Sequence, residues 1–177
     1  MGRFEELPAR VYAVGYVRSY AAYLGLERSL IGQSWWTLQR QGILLGHLAI
    51  AAARSGKRER ALAIIDELAG QDHRWPMPSI RALTIEARAI LECDVDPKKA
   101  LDHYHLSRQL WTSIDSNINA SRLRLRIADL QLRLGDKTGA IHEIRAALAA
   151  AKEHGARKLV EQASAMLAQS VPEAAMR

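Results

Sequence analysis

Gly56-Lys-Arg-Glu-Arg-Ala61, Val95-Asp-Pro-Lys-Lys-Ala100 and Gly135-Asp-Lys-Thr-Gly-Ala140 decide how this chain reads. Each stretch follows one amphipathic helical pattern, opens another, and ends on an alanine five residues after its first position. The alanines stand 39 and 40 residues apart. A helix–turn–helix unit recurring at a fixed period of that size marks a helical repeat array, in which each unit covers the apolar face of its neighbour.

The totals agree with an all-α chain. A length of 177 residues is enough to stack about three to four helical hairpins, and 49% hydrophobic with 25% charged residues is globular composition. Leu, Ala, Arg and Ile dominate and Phe occurs once, which favours helix over strand. Cys93 is the single cysteine, so no internal disulfide is possible and a reducing cytoplasm fits. A net charge of +6 admits nucleic acid, an acidic protein partner or a plain arginine-rich surface. The most apolar stretch, Ile43 to Ala53, contains His47 and falls well short of the roughly 20 residues that cross a membrane. The polar first residues carry no signal-peptide pattern.

Before the first turn, Pro8 and Gly25 bound a first helix. It puts Val14, Val17, Ala21 and Leu24 on one stripe and Tyr12, Tyr16, Tyr20 and Tyr23 on its neighbour. Glu27 to Gln33 reads as a connector, and Ser34 as the N-cap of a helix to about Arg54. Gly42 and Gly46 within that helix signal close approach by another, and Trp35-Trp36 reads as cover for the junction with the array. Ala61, Ile64, Ile65 and Leu68 mark the next helix, and Gly70 to Pro78 is a loop. Ser79 is the cap expected for a helix carrying Ile80, Leu83, Ala87, Ile90 and Leu91. Asp96-Pro97 opens a helix to about Ile114, Asn119 caps one to Leu134, and Asp136 or Thr138 caps one to about His154. Gly155 supplies a left-handed stop. A last helix, Ala156 to Ala168, then closes the stack through Leu159, Val160, Ala163 and Leu167.

The three units resemble tetratricopeptide repeats. Ala49 and Ala128 lie twelve residues before Ala61 and Ala140, Gly56 and Gly135 hold the turn glycine, and Ile65, Tyr104 and Ile144 fill the bulky position. In the middle unit Val95 replaces the glycine, and the small position falls on Arg88 unless a one-residue insertion at Cys93-Asp-Val-Asp96 restores Ala87. A period near 40 is like that of the arrays in MalT-type bacterial regulators. The resemblance implies an all-α, right-handed array of about three helical hairpins over residues 34–170, preceded by an N-terminal helix and ended by a capping helix, with residues 171–177 a tail. Leu7-Pro8, Tyr12, Gly15-Tyr16-Val17-Arg18, Tyr20-Ala21 and Leu24-Gly25-Leu26 resemble the closing helix of RodZ-type helix-turn-helix domains, a branch of the Cro-like repressor fold. Residues 1–33 are then that helix and its connector. In that family the DNA-reading helices come earlier, so no DNA-contacting position carries over.

The stretch Leu123 to Leu134 identifies a candidate face. At about 100° per residue, Leu123, Ile127, Leu130 and Leu134 fall on one side, and Leu125, Ala128 and Leu132 on a second. A helix apolar on two sides is sandwiched between neighbours, and what remains is the line Arg122, Arg126, Asp129, Arg133. Arg81, Arg88 and Glu92 form a similar line one unit earlier. The resemblance implies that both lines face a common concave groove. Arginine forks pair bidentately with carboxylates, which makes an acidic peptide or protein segment the natural guest. The plainer alternative is that Asp129 neutralises Arg126 and Arg133 within the helix.

Chemistry beyond recognition has little support. Asp102-His103-Tyr104-His105 scatters its ligands over different helix faces, and Cys93 with Asp94 and Asp96 lacks a histidine at zinc spacing. No phosphate-cradling glycine loop or nucleophile elbow is present. The expectation is therefore a cytoplasmic, non-enzymatic interaction module without metal or cofactor and away from membranes, the scaffold or sensor part of a bacterial transcriptional regulator. Its rivals are nucleic-acid binding through the basic face, unfavoured without the earlier helix-turn-helix helices, and a homodimer formed through the tyrosine helix.

Overall fold

A computed structural model describes residues 28–70 and 77–170, with side chains from residue 39 onward. Every regular element among them is an α-helix: α1 (Arg28–Arg54), α2 (Arg58–Gly70), α3 (Pro78–Glu92), α4 (Pro97–Thr112), α5 (Asn117–Arg133), α6 (Lys137–Glu153) and α7 (Arg157–Ser170). The tyrosine-striped first helix, the side chains of Trp35 and Trp36, most of the Gly70 to Pro78 loop and the tail lie outside the described residues. Gly42–Arg177 forms a compact unit. Among the described residues no helix is long and apolar enough to cross a membrane.

Three helix starts differ from the sequence expectation. α1 begins at Arg28 and runs through the expected connector, past Ser34. That segment holds no proline, and one glycine, Gly32, costs only about 1 kcal/mol in a helix. α3 begins on Pro78 with Met77 before it, so Ser79 lies inside the first turn. Proline's fixed φ suits the first helical position, where its missing N–H is no loss. α5 is preceded by Ser116, and Asn119 donates its side-chain amide to the Ser116 hydroxyl at 3.0 Å. The acidic caps stand as expected, Asp96 accepting from the Lys99 N–H and Asp136 from the Gly139 N–H.

Four of the described turns follow one backbone pattern. After α1, α4, α5 and α6, one residue takes a left-handed φ: Gly56 at 73°, Asp115 at 54°, Gly135 at 86° and Gly155 at 66°. The following N–H then reaches back five residues, from Lys57 to Ala52, Ser116 to Trp111, Asp136 to Gln131 and Ala156 to Ala151, each at 2.9 Å. The middle hairpin does otherwise. Its connection, Cys93 to Asp96, is four residues long against three in the outer two hairpins. Both Val95 and Asp96 donate to the Glu92 carbonyl, without a left-handed residue. A β-branched valine strongly disfavours positive φ, and the extra residue turns the chain without it. Counting thirteen rather than twelve residues back from Ala100 reaches Ala87, and Ala49, Ala87, Ala128, Ala61, Ala100 and Ala140 are all fully buried.

From α2 to α7 each helix packs on the next. The bulky positions Ile65, Tyr104 and Ile144 are buried, each aliphatic one worth about 1.5–3 kcal/mol of transfer free energy. Gly46 permits the close helix approach read from its type: a Cβ there would sit 2.7 Å from the Leu83 Cβ, so α1 and α3 meet backbone to side chain. α7 covers the far end, where Leu159 and Ala163, flanked by Val160 and Leu167, join Leu125, Ala128, Ile144 and Ala147 in one cluster.

A basic site around one buried carboxylate

Glu86 lies on the buried side of α3 and is wholly inaccessible. A carboxylate taken out of water needs a cation and hydrogen bonds in exchange. Arg122 of α5 supplies both: its Nη1 and Nη2 donate to the two Glu86 oxygens at 2.6 Å each, a parallel fork. Arg54, at the end of α1, adds a longer contact from Nη2 to Oε1 at 3.4 Å. The two guanidinium side chains remain 30% and 43% exposed, so the cluster is closed beneath and open above.

Arg126 stands one turn along α5 from Arg122 and adds a third positive charge. Burial lowers the pKa of Arg54 from its ordinary value, and the neighbouring charges of Arg126 and Arg122 lower it further against the pull of Glu86. Arg54 and Arg122 thus share the Glu86 carboxylate, Arg126 acts on Arg54 as a further positive charge, and the site keeps unspent positive charge. Beside it Tyr104 is buried with its hydroxyl 3.5 Å from the Cys93 sulfur. Burial and that hydrogen bond push the phenol's pKa upward.

The sequence-predicted residues divide. Arg122 and Arg126 belong to this cluster. Arg133 crosses to Asp94 in the preceding turn at 2.7 Å, and that hydrogen bond raises its pKa. Asp129 is exposed on the same stripe, and its charge also favours the Arg133 cation. Arg81 and Arg88 stand apart, on a side of α3 about 150° around the helix from Glu86. With Leu68, Ile80, Ile85, His103 and Leu106 they line a hollow of about 270 Å3 between α2, α3 and α4. The two arginine lines therefore do not converge: the long Arg122 side chain reaches to Glu86, whereas Arg81 and Arg88 meet no described acidic residue.

Arg54 and Glu86 escaped the sequence reading. The signal was present, because Glu86 sits among Leu83, Ala87 and Ile90 on an apolar stripe, where an acid must find a cation. Glu143 repeats the device in α6, taking a 2.6 Å bond from Arg124. Of the scattered histidines, His103 pairs with Glu92 through Nδ1, while His105 is half-buried, its pKa lowered by burial and by Arg108. Among the described residues no three His, Cys, Asp or Glu side chains gather into a metal site.

Comparison with known proteins adds one element. The model of the helix-turn-helix domain family matches residues 1–31, enclosing the stretch with the helix-turn-helix resemblance. No curated protein and no solved structure matches the chain.

Proposed function

We propose that residues 34–170 form a tetratricopeptide-like module that binds an acidic peptide or protein segment, as the scaffold or sensor part of a bacterial transcriptional regulator. The single observation carrying the binding role is the imbalance at Glu86, which pairs with Arg54 and Arg122 while the charge of Arg126 acts on Arg54 without a described acidic partner. Arg122 is held in a fork by Glu86, so Arg54 and Arg126 are the groups that meet a guest carboxylate. The repeat reading is supported by the alanine positions at zero exposure, the left-handed turn glycines and the covering helix α7. The regulator reading is supported by the match over residues 1–31.

Fluorescence anisotropy with a labelled oligoglutamate peptide tests the site, with an oligolysine peptide of equal length as control. Arg54→Ala/Arg126→Ala should weaken oligoglutamate binding about tenfold or more and flatten its salt dependence. Binding equal for the two peptides, or unaffected by the double substitution, would remove the site assignment. Titration of the full chain with duplex DNA over a salt series separates the rival, since phosphate contacts give a steep salt slope.

A further inference from the structure

The hollow between α2, α3 and α4 lies on the other side of α3, and its occupant is written elsewhere in the chain. Arg81, Thr84, Ile85 and Arg88 form its α3 wall, with Leu68 of α2 and Leu106 of α4 on either side. The two arginines are seven residues apart, about 10 Å along the helix, with a small and an aliphatic residue between them. The helix that fits such a trough carries two acids seven residues apart with aliphatic residues between. α2 carries that pattern in the same register: Glu59, Leu62, Ala63 and Asp66, all exposed. Among the described helices no other holds two acidic residues at that spacing. These four residues span about 100° of α2, as their counterparts span α3. They also enter no ion pair with a described residue, although cations lie close in sequence.

We propose that this surface is a self-association site, in which the Glu59–Asp66 stripe of one copy lies in the Arg81–Arg88 trough of another. Leu62 enters the hollow against Ile85 and Leu106, while the acids meet the arginines at its ends, a helix-in-groove contact with complementary charge. A single copy cannot satisfy itself, because its own α2 is already a wall of its trough through Leu68 and Ala69. The contact joins two different faces, so it either closes reciprocally in a dimer or propagates from copy to copy. It is independent of the acidic-guest site at Glu86.

Sedimentation velocity of the full chain over a concentration series tests this, with a charge swap. The wild-type mass should rise with concentration and fall back in high salt. Arg81→Glu/Arg88→Glu and Glu59→Arg/Asp66→Arg should each weaken association about tenfold or more. An equimolar mixture of the two variants should recover it, since each then offers the other a complementary face. Arg81→Gln and Asp66→Asn give the same direction with a smaller change, so a folding defect in the doubly substituted chains does not hide the result. A wild-type chain that stays monomeric, an association indifferent to both swaps, or a mixture that fails to recover would each overturn the proposal.

Discussion

Two arginines on one stripe of α5 make the same kind of bond with opposite consequences. Arg122 and Arg133 both leave their helix to reach the preceding hairpin, at 2.6 Å and 2.7 Å. Arg122 finds Glu86, fully buried, while Arg133 finds Asp94, whose side chain is 85% exposed. Water competes for the second pair at every moment and cannot reach the carboxylate of the first. A hydrogen-bond length therefore does not rank these contacts; the solvent around the acid does.

Substitutions at these side chains should differ widely in cost. Arg122→Ala leaves Glu86 with only the long Arg54 contact and should cost about 2–3 kcal/mol in urea denaturation, less than a fully buried pair because Arg122 is partly wet. Arg122→Lys keeps the charge but loses the fork, and should cost about half as much. His105, half-buried near Arg108, tests burial acting on a neutral group. Its folded pKa lies below the unfolded value of about 6.5, so the unfolded chain binds the proton more readily. Thermal stability should fall as pH drops below that value toward the folded pKa, and His105→Gln should remove this part of the slope. Arg133→Ala should leave the thermal midpoint unchanged, and a loss comparable to that of Arg122→Ala would erase the distinction between the pairs.

The helices were legible because apolar spacing and punctuation act locally. Gly135 could be read as a left-handed stop from its type, and Asp96-Pro97 as a helix start. The inserted residue before Ala100 was legible too, because only a thirteen-residue count puts an alanine opposite. Less of the site was legible. Periodicity places Arg81, Arg88 and Arg122 on faces of their own helices, but not on a common groove, because the rotation of α3 against α5 is a property of packing. Ser34 misled for a related reason: a good capping residue is not a cap while the preceding residues can continue the helix.

The surplus of positive charge around Glu86 is the centre of the functional account, and Glu86→Gln tests it most directly. The substitution removes the one negative charge in the cluster while keeping the shape of its side chain. Anisotropy titration with labelled oligoglutamate at low temperature, on a variant whose circular dichroism remains helical, should show affinity rising about threefold or more over the wild type. Affinity that falls or stays unchanged would mean that Arg54, Arg122 and Arg126 hold the fold together and do not select a guest.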